Sequence, residues 1–306
     1  MTNLSARGAH VQTAGHGRQR LARRDRAVKL IGQVAGYVAL AAFSGFALVP
    51  LLWLVSLASR SAQEILTVPI RLLPSKFLLG KNIADAFYYS SFLTWLRNSV
   101  IMVVVLATTD NLVSSLAGYA LAKFKFPGHQ VLFYVVLGTL MISFLVIVVP
   151  LYILVKELDW LNSYLGMMAP AFVSAFGVFF MRQYCLSIPT EYLDAARIDG
   201  ASELGIYRRV VLPMIKPAVV TLVIFRFQWE WSSLLWPMLV VGDPNLRTIP
   251  LGLAIMADST TQAGSMEFTF ATILAVNLLA VAPVVAAFVF LRRYFVSGMI
   301  TSGLKM

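Results

Sequence analysis

The 306-residue chain carries little charge for its size, and this lack excludes several classes of protein. Charged residues make up 13% of the sequence, whereas hydrophobic residues make up 59%. A water-soluble domain has about 25% charged and about 45–50% apolar residues, so this chain cannot cover a soluble surface. Disordered chains are poor in aliphatic and aromatic residues, and the same composition excludes them. The sequence therefore predicts an integral membrane protein.

Residues that hold metal ions or form disulfides are also scarce. The single cysteine, Cys185, excludes an intramolecular disulfide and a cysteine-based metal site, and three scattered histidines are too few for a zinc triad. The sequence contains no phosphate-binding P-loop, no His-Glu-x-x-His and no Gly-x-Ser-x-Gly motif. We therefore predict no catalytic residue, no metal site and no cofactor in this chain, which makes an enzyme embedded in the membrane a poor interpretation.

Long apolar runs stand where charge is missing. About 20 predominantly apolar residues cross the hydrocarbon core of a bilayer, and six runs are long enough. They predict an all-α, polytopic membrane protein with six transmembrane helices. The predicted spans are Leu30–Ser59, Asn98–Ala122, Pro127–Val155, Trp160–Met181, Pro217–Gly242 and Phe268–Leu291.

Positive charge is distributed unevenly along the chain. The net charge is +11, and most basic residues fall in the N-terminal tail, the second and fourth connections and the C-terminus. Because basic loops stay in the cytoplasm, both termini are expected there. The chain then divides into a basic cytoplasmic tail, residues 1–29, and a six-helix membrane domain, residues 30–306. Binding of nucleic acid by the N-terminal arginines is the weaker explanation of the charge.

The fourth connection, residues 182–216, is too long for a simple turn. Thr190 is expected to cap a first short helix, Gly200 to end it in the left-handed conformation, and Ser202 to cap a second helix that runs to Pro213. Its charge is mixed, whereas helices that lie on lipid headgroups are usually basic. We predict two short helices at a bend, exposed in the cytoplasm, with small residues that let another surface approach.

This connection resembles the EAA motif of permease subunits in bacterial ABC importers. The motif is Glu-Ala-Ala, then a glycine after three residues, and later Leu-Pro; here an aspartate stands in place of the glutamate. In that family the segment is the coupling helix, which docks in a cleft of the ATPase subunit. The resemblance implies that residues 190–213 couple this chain to an ATPase through Asp194, Ala195, Ala196, Asp199, Gly200, Leu212 and Pro213.

Further segments are similar to the maltose-type carbohydrate permeases of the same family, so the resemblance covers nearly the whole chain beyond the tail. These segments are Tyr119–Gly128, Pro150–Tyr152, Leu161–Gly166, Phe180–Gln183 and Gly303–Lys305. One departure lies in the fifth span, where Trp231-Ser232-Ser233 replaces the usual Trp-Asn-Asp/Glu. The cargo therefore stays open between a sugar, a polyol and a glycerol phosphate.

The resemblance also implies a fold, a location and partners. The expected fold is that of a type I ABC-importer permease in the bacterial inner membrane, surrounded by lipid. The expected partners are a second permease subunit in a heterodimer, two cytoplasmic ATPase subunits and an extracytoplasmic solute-binding protein. ATP and Mg²⁺ would bind to the ATPase partners and not to this chain, which would form half of the translocation pore.

Charged residues inside the predicted spans are the remaining candidates for a site. Arg226 and Glu230 lie one turn apart and can pair, and a charge within the bilayer must face the bundle or a wet cavity. They could line a carbohydrate path by ring stacking and hydrogen bonds, or form a neutralised pair that holds the helix to a sister permease. Residues of the predicted path are Arg226, Trp229, Glu230, Ser233 and Trp236. Asp110 is expected to make an inter-helix hydrogen bond or a kink.

A self-sufficient secondary carrier is the alternative from another functional class. Such a carrier would show inverted repeats and helices broken near the middle of the membrane. The first three predicted spans have no evident repeat in the last three. The sequence therefore favours a transmembrane permease subunit of an ATP-driven importer.

Overall fold

A computed structural model describes residues 5–65, 67, 73–261 and 270–303 of the chain. Helices dominate these residues and no strand occurs among them, which confirms the predicted all-α class. The α-helices in chain order are α1 (Ser5–Ala58), α2 (Ala62–Ile65), α3 (Leu79–Tyr89), α4 (Phe92–Lys123), α5 (His129–Leu140), α6 (Phe144–Glu157), α7 (Tyr164–Met168), α8 (Ala175–Leu186), α9 (Thr190–Ile198), α10 (Glu203–Ile206), α11 (Leu212–Met214), α12 (Lys216–Trp231), α13 (Leu235–Val240), α14 (Ile249–Thr261) and α15 (Phe270–Gly303). A 3₁₀ turn covers Ala169–Ala171, a π-helix covers Tyr207–Val211 and a second 3₁₀ turn covers Pro244–Leu246.

Three of the described helices are long and apolar enough to cross a membrane without a break. These spans are Gly32–Ala58 in α1, Phe92–Lys123 in α4 and Phe270–Phe290 in α15. They correspond to the first, second and sixth predicted spans. The described residues up to Leu57 form a compact unit of their own. Along α1, apolar side chains such as Phe43 and Phe46 are exposed.

The third and fourth predicted spans are bent pairs of helices, and another bent pair joins Glu203–Met214 to Lys216–Trp231, with its bend before the fifth predicted span begins. The described residues hold three spans, or six if each bent pair counts as one. A bend of 100° separates His129–Leu140 from Phe144–Glu157, and the bends in the other two pairs are 42° and 75°. Pro127–Val155 was therefore wrong as one continuous helix. Hydropathy counts apolar residues and does not detect a break such as the one before Phe144, where Ser143 is extended.

The fifth predicted span is also interrupted near its end. Helix α12 stops at Trp231, where the backbone N–H of Ser233 donates to the carbonyl of Glu230 at 3.2 Å, and the chain becomes helical again at Leu235. The prediction of one helix through Gly242 was therefore wrong. The interruption leaves a short non-helical segment beside the charged residues of the span.

Glycines allow α4 and α8 to approach closely. A Cβ atom on Gly118 would lie 2.7 Å from the Cβ of Met181, and one on Gly177 would lie 2.5 Å from the Ser114 hydroxyl and 2.9 Å from Asp110 Oδ1. Real Cβ atoms do not come this close to other atoms. The packing of these two helices therefore requires glycine at both positions, and it brings Asp110 to the start of α8.

Candidate functional site

The first helix of the connection between α8 and α12 is α9, which begins at Thr190. Thr190 is not its N-cap: Pro189 precedes the helix with ψ 136°, and no side chain caps the first turn. The predicted cap was therefore displaced by one residue, because Thr190 itself adopts the helical conformation. The segment 190–213 is called the coupling loop below.

Gly200 ends α9 as predicted. Its φ is +78°, and its backbone N–H donates to the carbonyl of Arg197 while that of Ala201 donates to the carbonyl of Ala196, each at 3.0 Å. This pair of hydrogen bonds defines the Schellman motif, in which a left-handed residue closes a helix. Ser202 then accepts a hydrogen bond from the backbone N–H of Gly205 at 3.3 Å and caps α10, as expected.

The inner side of the coupling loop is part of the protein core. Leu193 of α9, Ile206 of α10 and Val211 of the π-helix are each at most 1% exposed, and they pack with Tyr119 of α4. Burying large aliphatic side chains contributes about 1.5–3 kcal/mol each. The loop is therefore anchored to the helices and is not a loose extension.

The outer side of the coupling loop is exposed and carries most of the predicted coupling residues. Ile198, at the end of α9, is 86% exposed. Ala196 is half-buried, and Leu212 borders an apolar cavity of about 740 Å³ between α4 and α12. The exposed predicted residues are Asp194, Ala195, Asp199, Gly200, Leu212 and Pro213.

Arg197 connects the two short helices of the coupling loop. Its Nη1 donates to Asp194 Oδ1 and its Nε donates to Glu203 Oε1, both at 2.8 Å. The hydrogen bond from Arg197 lowers the pKa of the Glu203 carboxyl, and the same bond raises the pKa of the Arg197 guanidinium. The sequence predicted neither ion pair of Arg197, although Glu203 was expected beside Ser202 in the cap of the second short helix.

Three polar contacts join α4 to the coupling loop and to Ile188, two residues before the loop begins. The Tyr119 hydroxyl donates to Glu203 Oε2 at 3.2 Å, and the hydroxyls of Ser115 and Tyr207 lie 2.6 Å apart. Lys123 Nζ donates to the carbonyl oxygen of Ile188 at 2.5 Å. These contacts are called the α4 joint below. Sequence reasoning missed them, because their members lie far apart in the chain.

A cavity of about 850 Å³ contains all five residues of the predicted path. Its walls come from α6, the break between α7 and α8, the end of α12 and the start of α13. Most of the lining is apolar, and the polar groups gather on the α12 side. The lining residues used below are Val173, Ser174, Arg226, Trp229, Glu230, Ser233 and Trp236.

The two tryptophans of the predicted path differ in what their rings can contact. Trp229 is 74% exposed, so its ring can stack on a molecule in the cavity. Trp236 is buried, and its Nε1 donates to the carbonyl oxygen of Gly166 at 3.2 Å. Ser233, which lies between the two tryptophans in the sequence, is half-buried. The geometry therefore makes Trp229 the aromatic surface and Trp236 a packing residue.

Three charged side chains beside the cavity form a charge cluster, defined here as Asp110, Arg226 and Glu230. Arg226 Nη1 lies 3.0 Å from Glu230 Oε1, which confirms the predicted pairing, and Arg226 Nε lies 3.3 Å from Asp110 Oδ2. Arg226 Nη2 also donates to the carbonyl oxygen of Ala171. The cluster carries two negative charges and one positive charge, and the ion pair with Asp110 is the part that sequence reasoning missed.

Asp110 binds the start of α8 as well as Arg226. It accepts hydrogen bonds from the backbone N–H and the hydroxyl of Ser174, each at 2.8 Å, and from the hydroxyl of Ser114 at 2.8 Å. The predicted inter-helix hydrogen bond is therefore confirmed. Because the side chain is fully buried, these donors and Arg226 offset the cost of removing a carboxylate from water.

A metal centre would require clustered ligands. Among the side chains that the structure describes, no group of three or more His, Cys, Asp or Glu residues is arranged to hold a metal ion. The polar and aromatic residues that line the cavity offer hydrogen bonds, ring stacking and electrostatic contacts.

Comparison with known proteins gives a family for this arrangement. The model of the family "binding-protein-dependent transport system inner membrane component" matches residues 111–301. The arabinooligosaccharides transport system permease protein AraQ of Halalkalibacterium halodurans is 36% identical over 267 residues, which cover 86% of this chain and 94% of that protein. The sn-glycerol-3-phosphate transport system permease protein UgpE of Pectobacterium atrosepticum is 32% identical over 251 residues, 80% of this chain and 88% of that protein.

The fold is also similar to that of a solved transporter. A chain in the crystal structure of a bacterial ABC transporter involved in the import of the acidic polysaccharide alginate aligns with a TM-score of 0.74 and 22% identity. The alignment covers 87% of this chain and 96% of that chain. This similarity confirms the predicted permease fold.

The chain belongs to the family of inner membrane components of binding-protein-dependent transport systems. It is a permease subunit of an ABC importer, as its sequence predicted, and the comparisons do not favour the alternative of a self-sufficient carrier. Membership places it in the membrane and implies a separate solute-binding protein, a partner permease and an ATPase in general.

Proposed function

We propose that this permease carries a neutral carbohydrate or polyol through the cavity beside the charge cluster. The proposal rests on the partners of Arg226. Its guanidinium already contacts Asp110, Glu230 and the carbonyl oxygen of Ala171, so it is not available to bind an anionic cargo. The cluster has one more negative than positive charge. A site of this sign disfavours a phosphate or carboxylate cargo and favours a cargo that donates hydroxyl hydrogen bonds.

Glu230 and Trp229 are the groups that would contact such a cargo. Glu230 lines the cavity with one oxygen on Arg226, and its carboxylate can accept hydrogen bonds from sugar hydroxyls. Trp229 offers an exposed apolar ring on which a sugar can stack. The names of the two relatives give two candidate cargoes to compare, arabinooligosaccharides and glycerol 3-phosphate. The alginate transporter has a similar fold and an acidic cargo, so the fold alone does not decide between them.

Uptake by the complete importer tests the cargo class. The permeases, the ATPase and the solute-binding protein are reconstituted in liposomes with ATP, and uptake of labelled arabinooligosaccharides and labelled glycerol 3-phosphate is measured separately. We expect the sugar to accumulate and the phosphate ester to stay outside. Preferential uptake of glycerol 3-phosphate would contradict the proposed cargo and leave the membership in the family intact.

The role of Glu230 has its own test. Glu230→Gln keeps the size of the side chain but removes the charge, and the loss of a hydrogen bond to a charged group costs about 1.5–3 kcal/mol. We expect sugar uptake to fall about tenfold or more. Glu157→Gln, at the exposed end of α6, is the matched control and should leave uptake unchanged. Unaltered uptake by an assembled Glu230→Gln importer would mean that the cluster only holds helices together.

We further propose that the exposed side of the coupling loop binds one of two ATPase subunits, which hydrolyse ATP with Mg²⁺, and that the partner permease is a different chain. The support is the exposed face of α9, where Ala195 allows close approach and Ile198 presents apolar surface. Ile198→Asp should abolish co-purification of the ATPase, whereas Ile198→Leu should retain it. Equal retention by both variants would rule out this face as the contact.

We propose that the coupling loop and both termini lie in the cytoplasm. The support is the clustering of Lys and Arg residues in the loop and near the termini, since such residues are retained on the cytoplasmic side. A reporter enzyme that is active only in the cytoplasm, fused after Met306, should be active. If this fusion is inactive while a reporter that is active only outside the cytoplasm works at the same position, the C-terminus lies on the opposite side of the membrane.

A further inference from the structure

Helix α4 has a property that the bent spans lack: it runs unbroken from the charge cluster to the coupling loop. Its 32 residues, Phe92–Lys123, form one continuous helix, whereas the third and fourth predicted spans are broken by bends of 100° and 42°. A continuous helix transmits a displacement of one end to the other, because its backbone hydrogen bonds resist a local change of length. A broken span can absorb such a displacement at its bend.

The loop end of α4 is held by the α4 joint. Ser115 and Tyr119 lie one turn apart on the same side of the helix, and their hydroxyls contact Tyr207 and Glu203. Glu203 is in turn bonded to Arg197, which also binds Asp194 on the exposed side of α9. An unbroken series of polar contacts therefore runs from the proposed ATPase-binding face to α4.

The other anchor of α4 is Asp110, nine residues before Tyr119 and about 14 Å away along the helix axis. Asp110 binds Arg226 of α12 and the start of α8 at Ser174. Arg226 and Ser174 both line the cavity. A shift of α4 would therefore move a cavity wall directly, with no intervening flexible segment.

On this geometry we propose that α4 is the element that transmits ATPase closure to the cavity. Tyr119 of α4 and Tyr207 of the coupling loop are the positioning residues where α4 meets the loop, and Asp110 is the positioning residue where α4 passes the cavity. The inference rests on the proposed binding of an ATPase to the coupling loop. Neither tyrosine lines the cavity beside the charge cluster. Each transmits the loop's displacement through its hydroxyl group.

The decisive variant is Tyr119→Phe combined with Tyr207→Phe. It removes two hydroxyls and keeps both aromatic rings, which pack against each other with centroids 5.9 Å apart. The matched control is Tyr184→Phe, which removes a hydroxyl from a ring packed against the same core cluster and leaves the α4 joint intact. Both variants are made in the complete importer and checked for co-purification of the ATPase.

The readout is the reactivity of a cysteine in the cavity. Cys185 is the only cysteine in the sequence and is replaced by alanine, and Val173→Cys then places a thiol in the cavity wall at a position that is 43% exposed. Alkylation by a polar maleimide is timed without nucleotide and with a non-hydrolysable ATP analogue. The number of ATP molecules hydrolysed per sugar imported is measured in matched importers that carry the same tyrosine variants but lack the reporter cysteine.

We expect the nucleotide to change the alkylation rate several-fold in the parent and in the Tyr184→Phe control, and less than twofold in the double variant. The double variant should also use several times more ATP per sugar while hydrolysis itself continues. Equal changes in all three would overturn the role of α4 and leave the proposed function standing. If the double variant loses sugar uptake and ATP hydrolysis in equal proportion, the two tyrosines have only a structural role. If the nucleotide does not change the alkylation rate in the parent, the proposed coupling to an ATPase is contradicted.

If the double variant does not co-purify with the ATPase, the single Tyr119→Phe variant serves in its place. It removes only the hydroxyl that donates to Glu203, and we expect an intermediate loss of the nucleotide effect on alkylation. A single variant with the full parental effect would overturn the assignment of Tyr119.

Discussion

The coupling loop and the charge cluster each place an arginine between two carboxylates, but the two arginines differ in their exposure to solvent. Arg197 is 39% exposed between Asp194 and Glu203, whereas Arg226 is 11% exposed between Asp110 and Glu230. Solvent screens the first set, so its net contribution to stability is small. Burial leaves the second set dependent on complete pairing. Exposed charges can therefore be exchanged for contacts with a partner, while buried ones fix the helices that surround the cavity.

The largest expected effect comes from breaking the buried set. Arg226→Met leaves Asp110 and Glu230 as two negative charges without a cation, and removal of one partner from a buried ion pair costs about 3–5 kcal/mol. Asp110→Asn leaves the Arg226–Glu230 pair neutral, so it should cost about 1–2 kcal/mol. Thermal unfolding of the two purified variants measures the difference.

Arg197→Met is the matched variant in the exposed set, and it should shift the unfolding temperature much less than Arg226→Met. Equal shifts for Arg197→Met and Arg226→Met would contradict the contrast between the two sets. A larger shift for Asp110→Asn than for Arg226→Met would show that hydrogen bonding to Ser174 matters more than charge balance.

A smaller effect is expected where α4 supports the cluster by close packing. In Gly177→Ala the new Cβ would stand 2.5 Å from the Ser114 hydroxyl and 2.9 Å from Asp110 Oδ1, and overpacking of this kind costs about 1–3 kcal/mol. Gly138→Ala in α5 meets no atom within 4 Å and is the control. The yield of folded protein after detergent extraction should fall for the first variant alone.

The backbone of the coupling loop should respond still less. Gly200 has φ +78° and open space around its Cβ position, so Gly200→Ala introduces only backbone strain, about 1 kcal/mol. Gly200→Asn should cost less, since asparagine tolerates the left-handed conformation. Hydrogen exchange of the α9 amides compares the two. If alanine and asparagine are equivalent, conformational strain does not determine the effect.

The smallest response is that of the exposed ion pair to pH. The hydrogen bond from Arg197 lowers the pKa of Glu203 below its ordinary value of 4.5. Its contribution to stability is therefore present above that ordinary value and is lost as the pH falls through the lowered one. The protection of the α10 amides should be constant from pH 8 to pH 5.5. A loss of protection within this range that is absent in Glu203→Gln would reverse the assigned direction of the pKa shift.

Local signals in the sequence predicted the coupling loop better than the cavity. The Ser202 cap and the left-handed Gly200 depend on residues within a few positions of each other, so both could be read directly. The bends in the third and fourth predicted spans and the interruption of the fifth could not be predicted, because a hydropathy pattern does not report breaks in the backbone. The ion pair between Asp110 and Arg226 joins different helices, and only the close approach of α4 and α8 at Gly118 and Gly177 brings its surroundings together.

An ATPase bound to the coupling loop is expected to change the cavity beside Glu230. The most direct measurement is the alkylation rate of Val173→Cys in the complete importer, with Cys185 replaced, in the presence and absence of a non-hydrolysable ATP analogue. We expect a several-fold change that disappears in Ile198→Asp. The same alkylation rate with and without nucleotide, in an importer that retains its ATPase, would contradict this expectation.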